Sequence, residues 1–354
     1  MRWLVLIALV SCDCAGAPNP PTPTPTPTPT PDPSPDPSPE VDVGWLKGQL
    51  HMHTGFSGDS ETPLDDALDW YAAHGFDFVV VTDHNHVTVG HHDAMLVLPG
   101  AELTHNIRRC VPAPEQGDHC SLHVNALVVD ADHEGFLPLR TFGIPSRADV
   151  FTDSMRVAER LGGIAQLNHP NYRYGADADL LAELAQRGLR LFEVANEALD
   201  SNNDGGDRPS TEAMWDDVLS RGLRLWGTAT DDAHHYLDAD AVRARGRIAF
   251  EGNRGWVMVR ASRTAEAIRT ALSEGDFYAS NGVTLESLHT EGSLRITTAE
   301  PHDVDLIGRG GRVLQSERGR SVLFDLDALN AGEYVRAVVR DDAGRRAWTQ
   351  PVFR

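Results

Sequence analysis

Two histidines one residue apart, His51 and His53, stand in a short apolar segment of this 354-residue chain. On a β-strand, residues i and i+2 point to the same side, so both imidazoles would face one place. A lone pair of this kind is weak, because two partly exposed histidines also occur together by chance. Further side chains of ligand type follow later apolar segments: Asp59 in GFSGD, Asp83 and His84 in TDHN, Glu102 in GAE, His123 in HVNAL, His169 in NHP, and Asp231, Asp232, His234 and His235 in DDAHH.

These residue types match what zinc and other first-row divalent ions prefer, imidazole nitrogen combined with carboxylate oxygen. Taken singly, each has an ordinary explanation. A histidine at a strand end is commonly a hydrogen-bonded surface residue, and an aspartate there often caps the next helix. Because the residues recur at successive strand ends, the set as a whole predicts a metal site.

The elements that must position these residues alternate between strand and helix. Apolar runs predict strands at 46–53, 76–82, 94–101, 123–129, 162–168, 189–195 and 223–229. Helical spacing predicts helices at 63–74, 151–161, 177–187, 211–221 and 264–275. Repeated β-then-α units indicate an α/β fold with parallel strands. A barrel is favoured over an open sheet, because its strand ends converge on one mouth and no Gly-rich nucleotide loop follows the first strand.

Two parts of the chain depart from this alternation. His123 begins its strand rather than ending it, so we expect that strand to return antiparallel to the preceding one and to place His123 beside Glu102. Beyond residue 263 the chain becomes strand-like, with candidates at 322–326, 334–339 and 347–353. We therefore predict a barrel that carries the metal site over 45–284 and a small C-terminal β-sandwich over 285–354.

The first 44 residues have the composition of a targeting and tethering segment. Residues 1–11 predict a signal peptide, and Leu9-Val-Ser-Cys12 is similar to a bacterial lipobox, in which Cys12 would be lipidated. A plain secretory signal that contains a cysteine is the alternative. Residues 12–44 then form a lipidated start and a Pro-rich tether with nothing to bury. Either way we expect an extracytoplasmic protein, and with the lipid a membrane-anchored one, periplasmic or at the cell surface.

Cysteine usage and charge add two expectations. Cys110 and Cys120 bracket a loop of nine residues, and outside the cytoplasm a disulfide is the favoured interpretation. The rival is a metal-binding pair, but this spacing does not suit a zinc ribbon or finger. The formal net charge of −21 argues against binding a nucleic-acid duplex, which relies on Lys and Arg.

In chain order, the motifs HMHT, SGD, VTDHN, GAE, HVNAL, NHP and DDAH resemble those of the polymerase-and-histidinol-phosphatase (PHP) domain family. The resemblance covers residues 45 to about 280, and the most similar branch includes carbaryl-hydrolase-like metallohydrolases. It implies a distorted (β/α)7 barrel. Members of that branch often carry a β-rich C-terminal piece.

The resemblance also implies two to three divalent ions and assigns their ligands. One ion would take His51, His53, Glu102 and Asp232. Glu102 would bridge to a second ion held by His123 and His169, and a third would take Asp59, His84 and His234. Several family members have histidine where this chain has Asp59. Zinc, iron and manganese all occur in the family.

Mechanistic roles follow from such a site. Two ions that share a bridging carboxylate can share a hydroxide, so no separate general base is required. Asp83 and Asp231 are predicted to orient ligating histidines. Asp231 could instead be the ligand and Asp232 its outer neighbour, although the family's Asp-x-His spacing favours Asp232. His235 is a candidate proton donor or an ordinary surface histidine. Asn171 and Arg173 are candidate substrate contacts, with a plain surface arginine as the alternative.

Three functions are compatible with these residues. The first is a phosphoesterase acting on a small phosphate ester or nucleotide. The second is a hydrolase of carboxylic or carbamic esters. The third is a binding module whose metal site is vestigial, which lost ligands would mark, whereas here all nine ligand positions hold residues able to bind metal.

Overall fold

A computed structural model describes residues 44–354, so that the predicted signal peptide, Cys12 and most of the tether lie outside the described residues. Residues 43–354 group into one compact unit. In the first half the elements are β1 (Trp45–Gln49), α1 (Leu64–Ala73), β2 (Phe78–Val81), β3 (His86–Val87), β4 (Leu96–Ile107), β5 (Cys120–Leu127), β6 (Gly135–Phe136), α2 (Arg147–Arg160), β7 (Ile164–Leu167), α3 (Ala178–Gln186) and β8 (Leu191–Asn196).

The second half continues the alternation and then becomes almost entirely strand. Its elements are α4 (Thr211–Ser220), β9 (Trp226–Thr230), α5 (Ala239–Ala244), β10 (Trp256–Arg260), α6 (Ala265–Glu274), β11 (Phe277–Ser280), β12 (Ser287–His289), β13 (Ser293–Gly308), β14 (Arg312–Asp325), β15 (Tyr334–Arg340), β16 (Arg346–Thr349) and β17 (Val352–Phe353).

Short polar side chains start four of the helices. Ser146, Asp177, Ser210 and Thr264 each accept a hydrogen bond from the backbone N–H three residues further on, at the beginning of α2, α3, α4 and α6. Such caps satisfy N–H groups that have no partner inside the helix. Gly275 ends α6 in the left-handed conformation, with φ of 82°, which glycine adopts without strain.

Apart from β3 and β6, which pair with each other, the strands form one large mixed sheet. Its main path runs in the order β12-β13-β15-β16-β11-β10-β1-β2-β4-β5-β7-β8-β9, with β14 paired to β13 and β17 to β15. Pairing is parallel for β1–β2, β2–β4, β7–β8 and β8–β9. It is antiparallel for β4–β5 and β5–β7. The expectation of a mixed α/β fold is confirmed, and so is the antiparallel return that carries His123.

In the described residues the two ends of the predicted barrel region lie near each other but are not joined by a ladder of backbone hydrogen bonds between strands. In the described part of the chain β9 lies at one end of the sheet order, and β10 pairs with β1 and β11 instead. The Asp231 carboxylate after β9 accepts the backbone N–H groups of residues 253, 254 and 255 before β10. Closure into a barrel therefore stays a prediction.

The C-terminal strands belong to the same sheet, because β16 pairs with β11 and β15 with β16. Their apolar side chains share one core with Met258 and Tyr278 of β10 and β11. By backbone hydrogen bonds these strands therefore continue the large sheet, and the division into a barrel over 45–284 and a small C-terminal β-sandwich over 285–354 stays a prediction. No helix between residues 44 and 354 is long and apolar enough to cross a membrane.

Candidate metal centre

The first group of ligand atoms lies where the chain leaves β1 and β9. We expected His51 and His53 on the first strand, but β1 ends at Gln49. The extended backbone continues instead along residues 232 and 233, with Met52 bridged to Ala233 and the N–H of His53 donating to the Ala233 carbonyl. As a result His51, His53 and Asp232 bring one ligand atom each into a single cluster. The Asp232 Oδ1 atom lies 3.3 Å from His51 Nε2 and 3.1 Å from His53 Nε2.

The second group joins three neighbouring strands. Glu102 lies on β4, His123 on β5, and His169 two residues after the end of β7. The Glu102 Oε1 atom is 3.1 Å from His123 Nδ1 and 3.4 Å from His169 Nε2. All three side chains are buried. This juxtaposition confirms the prediction that His123 lies beside Glu102.

The third group is nearer to solvent. The Asp59 Oδ2 atom lies 3.0 Å from His84 Nε2 and 3.4 Å from His234 Nε2, and the Asp59 side chain is 51% exposed. His53 joins these three residues within one cluster of ligand atoms, so this group adjoins the first. The nine residues predicted from the sequence therefore fall into three adjoining groups. A fourth group of Asp130, Asp132 and His133 is largely exposed.

Glu102 links the three groups. Besides His123 and His169, its carboxylate lies 3.4 Å from His51 Nε2 and 2.5 Å from His84 Nδ1. Asn168 donates a further hydrogen bond to Oε1 at 2.9 Å. One carboxylate with rings on both sides is the arrangement that a bridging ligand needs.

Two observations indicate that these side chains suit divalent ions: the chemistry of their ligand atoms, and one buried nitrogen without a hydrogen-bond partner. Imidazole nitrogens and carboxylate oxygens are the ligands of zinc, manganese and iron sites. The Nε2 atom of His51 is buried without a hydrogen-bond partner. A buried polar atom normally has a partner, so this nitrogen is suited to a metal ion.

The electrostatics of the cluster favour ionised carboxylates. Burial opposes ionisation, but the charges of His123, His84 and His51 hold the pKa of Glu102 well below its usual range. Burial is likewise outweighed at Asp232, where His51, His53 and His234 hold the pKa well below its usual range. Burial together with His234 and His84 lowers the pKa of His53 to about 4, which keeps that ring neutral. At His51 and His84 burial is outweighed by the neighbouring carboxylates, which raise the pKa of His51 well above its usual range and that of His84 to about 10. Metal binding takes neutral imidazole and ionised carboxylate, so an ion that binds at His51 and His84 has to displace a proton from each ring.

The cluster opens into a cavity of ≈ 200 Å³. Seven of the nine ligand residues line it, and the rest of the wall is Asn106, His119, Tyr172, Ala198, Asp200, Ser201 and Phe250. Neither predicted substrate contact is among the lining residues. Asn171 is buried and donates to the Pro209 carbonyl, while Arg173 lies behind His119, its Nη1 atom 3.0 Å from His119 Nε2.

Comparison with solved structures gives several matches, one of which is described below. No family model matches the sequence, and no curated protein does. The fold is similar to one from Bacteroides vulgatus. That chain is a two-domain protein containing a predicted PHP-like metal-dependent phosphoesterase; it superposes with a TM-score of 0.45 and 19% identity, over 89% of this chain and 97% of its own. The function proposed below rests on the side chains of the present chain.

The three residues predicted to assist catalysis lie beside the cluster with different partners. Asp83 accepts from Thr54, Thr88 and Ser57, and the Ser57 Oγ atom is 2.8 Å from His53 Nδ1. It therefore reaches a ligating ring through one hydroxyl. Asp231 accepts only from Gln49, Tyr71 and three backbone N–H groups among the described residues. His235 is buried, and its Nδ1 atom accepts the backbone N–H of Phe250.

Glu193 is the site residue that sequence reasoning missed. Its carboxylate is fully buried on β8, with Oε1 2.7 Å from His51 Nδ1 and Oε2 accepting the backbone N–H of His169 at 2.6 Å. Glu193 therefore holds two of the predicted ligand residues in place. The signal was present: a glutamate stands inside the otherwise apolar run LRLFEVA.

A disulfide joins Cys110 to Cys120, as predicted. The loop between them carries His119 to the cavity wall, one residue before β5. Arg147 holds this loop in place, because its guanidinium donates to the carbonyls of Pro112 and Ala113. The same guanidinium also donates to the carbonyl of Tyr174. The rim of the cavity is thus tied to α2 as well as to β5.

Proposed function

We propose that this protein is a metal-dependent hydrolase of the PHP type, a phosphoesterase acting on a small phosphate ester. The observation that carries the proposal is the convergence of three groups of histidines and carboxylates on Glu102 at the floor of one cavity. Phosphoryl transfer needs positioning and neutralisation of negative charge more than any covalent chemistry from the protein. A multinuclear site meets that need.

We further propose two to three divalent ions, zinc, manganese or iron, with Glu102 as the bridging ligand. When bound, such ions acidify water toward neutral pH and neutralise charge on the phosphoryl oxygens. The protein's part is to hold the ligands still. Glu193 and the Asp83–Ser57 pair fix the rings of His51 and His53. The hydrolysis itself adds hydroxyl to phosphorus, and the alcohol leaves with a proton.

Hydrolysis of a carboxylic or carbamic ester is the second candidate, and one observation favours it. Within residues 44–354 no lysine or arginine is among the cavity-lining residues. A neutral ester needs no positively charged side chain to neutralise it, so it is compatible with this wall. A phosphate ester would rely on the metal ions for its charge. A metal-stabilised binding module is the third candidate, although all nine predicted ligand positions hold residues able to bind metal.

The sequence-based expectations for the rest of the molecule are proposals as well. We infer that Cys12 is lipidated, that residues 12–44 tether the domain to a membrane face, and that the protein works outside the cytoplasm. The closed (β/α)7 barrel belongs with them, supported by the contact of Asp231 with residues 253–255.

Matched nitrophenyl esters test the choice of reaction. The full chain, reconstituted with zinc, manganese or iron, is assayed with nitrophenyl phosphate and nitrophenyl acetate. Preferential turnover of the phosphate ester is expected, and preferential turnover of the acetate would support the second candidate. Turnover of neither, with metals bound, would leave the binding module. The variants His51→Ala and Glu102→Ala are expected to lose metal and activity together, while His289→Gln, an exposed change on β12, serves as the control.

A further inference from the structure

Most of the exposed large hydrophobic side chains lie at the end of the sheet where the metal cavity opens. Among the described residues eleven such side chains are exposed, and three of them belong to β14. The other eight, which we call the apolar rim, lie in loops and in the short strand β6: Phe56, Val111, Phe136, Phe142, Ile144, Leu199, Leu237 and Ile248. Single exposed hydrophobic residues are ordinary on a protein surface, whereas their concentration at one end indicates an interaction surface.

The course of the strands places the members of the apolar rim at one end of the sheet. The strands β1, β2, β4, β7, β8 and β9 run in one direction, and β5 returns between β4 and β7. Phe56 follows β1, Leu199 follows β8 and Leu237 follows β9, so all three lie beyond the same strand ends. Each is within three residues of a side chain that lines the cavity. The apolar rim therefore adjoins the mouth of the metal site.

The segment 135–146, with the sequence GFLPLRTFGIPS, contributes three of the eight side chains. Its Phe136 lies opposite His86 in the β3–β6 pair, and the ring of Phe56 stacks on His86 with the ring centroids 4.9 Å apart. The two leucines of the segment pack against the main core, whereas Phe136 is 72% and Phe142 81% exposed. The segment is thus held by its partly buried leucines and presents its aromatic side chains to solvent.

The charge of this segment differs from that of the rest of the chain. The sequence has 52 acidic residues, but residues 135–146 contain none and carry one arginine, Arg140. Exposed arginines also stand next to other members of the rim, with Arg109 two residues before Val111 and Arg247 directly before Ile248. Hydrophobic side chains interspersed with arginine suit a lipid–water interface, where the apolar part enters the acyl boundary and the guanidinium group meets phosphate.

We propose that the apolar rim docks on the surface of a lipid bilayer, so that the metal cavity opens toward the lipid headgroups. The proposal rests on the lipid anchor at Cys12 that is inferred above. It adds an orientation that the anchor alone does not give, because the described chain enters β1 at the opposite end of the sheet.

The length of the N-terminal segment permits this orientation. At about 3.1 Å per residue, the sequence of residues 12–44 spans roughly 100 Å when extended. A compact domain of the size of residues 44–354 measures about 50 Å across. The segment is therefore long enough for the apolar rim to reach the bilayer that holds the anchor, although the rim lies opposite to the start of β1.

A second copy of the chain is a less suitable partner for the apolar rim. The formal net charge is −21, so two copies repel each other. The rim is also built from separate loops, and a fluid bilayer accepts such side chains without a complementary protein surface. Either partner would remove the apolar area from water, but the bilayer does so without bringing two strongly negative domains together.

Amide hydrogen exchange tests the docking on the full chain. The mature lipid-anchored protein on phosphatidylcholine vesicles is compared with the full chain carrying Cys12→Ser in buffer. Amides of residues 135–146 are expected to exchange several-fold more slowly on the vesicles, and those of β14 at equal rates in both samples. In Phe136→Ser/Phe142→Ser, compared in the same way, the slowing is expected to disappear.

Leu314→Ser is the matched control and should keep the slowing. It replaces an exposed hydrophobic side chain on β14, away from the apolar rim. That strand begins beside Gly310, whose N–H donates to Ser220 at the end of α4 that is far from the cavity.

Equal exchange of residues 135–146 on vesicles and in buffer overturns the docking, and so does slowing that depends on protein concentration rather than on lipid. The anchor is tested separately, by the intact mass of the mature chain. If Cys12 carries no lipid, the anchor is refuted, and addition of vesicles to that chain then decides the docking by the same exchange measurement. Nitrophenyl phosphate hydrolysis reports on the proposed reaction independently of both.

Discussion

The Nδ1 atom of His51 lies 2.7 Å from Oε1 of Glu193, and neither side chain is exposed to solvent. Because a carboxylate can only accept, the Nδ1–H group of His51 donates its hydrogen bond to Glu193. The Nε2 atom of the same ring then faces Glu102 and Asp232, at 3.4 and 3.3 Å. Carboxylates that fix ligating histidines in this way raise the basicity of the ring and its affinity for metal.

Glu193→Gln is expected to weaken metal binding about 10- to 100-fold without removing a ligand. Glu193 accepts from five donors, among them Thr230 and Asn196. An amide would turn its NH₂ group against some of them and loosen His51. Metal affinity is measured by competition with a chelator.

Glu197→Gln is the matched control for this change. Glu197 accepts one hydrogen bond, from Asn281, which a glutamine oxygen can also accept. Its metal affinity should equal that of the wild type. Equal affinity in Glu193→Gln as well would show that the His51 contact does not contribute to metal binding.

The metal stoichiometry is expected to depend on Asp59 in a stepwise manner. Asp59 is half exposed and its carboxylate pairs with His84 and His234, whereas the ligands of the other two groups are largely buried. Asp59→Ala should therefore lose about one ion per chain and keep the rest. Metal content is measured by elemental analysis after dialysis.

Asp59→His supplies the complementary variant, because several members of the PHP family, which the sequence resembles, have histidine at this position. It should restore the lost ion. If Asp59→Ala lost all of its metal, the three groups would not bind their ions separately. If it lost none, Asp59 would not be a metal ligand.

The sequence predicted which side chains converge on one cavity, because several of them follow strand ends. His169 and Asp232 follow β7 and β9, where side chains from neighbouring strands converge. The elements without such chemistry were harder to predict. The strands β10 and β11 are short and end in no ligand residue, so the sequence pattern does not predict them. In β14 the first seven residues are all exposed, which removes the alternation that marks a strand.

The wall of the cavity could not be predicted for a different reason. Asn106 and Asp200 lie more than ninety residues apart in the chain, and only the pairing of strands brings them to one cavity. Arg173 followed the His169 motif and was expected to meet the substrate. Its backbone has a φ of 50°, and its side chain lies against His119 instead. Local sequence does not encode that turn.

Removal of the disulfide is expected to affect substrate binding more than metal binding. The loop closed by Cys110 and Cys120 carries His119, which lines the cavity but belongs to none of the ligand groups. In the double variant Cys110→Ser/Cys120→Ser, KM should rise several-fold while metal content per chain stays the same. Arg147 still holds part of the loop, so kcat is expected to change less than KM.

Steady-state kinetics with nitrophenyl phosphate, together with elemental analysis, check this prediction. Arg109→Gln, an exposed change immediately before Cys110, is the control. Loss of metal in the double variant would show that the loop supports the ligands themselves. Unchanged KM would show that His119 keeps its place without the disulfide.

Asp231 and Asp232 are neighbours with opposite expected roles. Asp231 accepts the backbone N–H groups of residues 253–255 at 2.7 to 2.8 Å, and Gln49 and Tyr71 also donate to it. Asp231→Ala leaves these buried donors unpaired, which costs about 3 kcal/mol or more of the free energy of unfolding. Asp232→Ala removes a ligand of the first group and should abolish metal binding there, with a smaller loss of stability in metal-free buffer.

Urea unfolding in chelator and metal titration of the folded protein distinguish the two residues. Asp240→Asn is the control for unfolding, because its exposed pair with Arg243 contributes less than about 0.5 kcal/mol. If Asp231→Ala abolishes metal binding in protein that is still folded, and Asp232→Ala does not, then Asp231 is the ligand. The hydrogen bonds predict the reverse, since every oxygen of Asp231 is already engaged by the backbone before β10, whereas Asp232 Oδ1 faces the two histidines that follow β1.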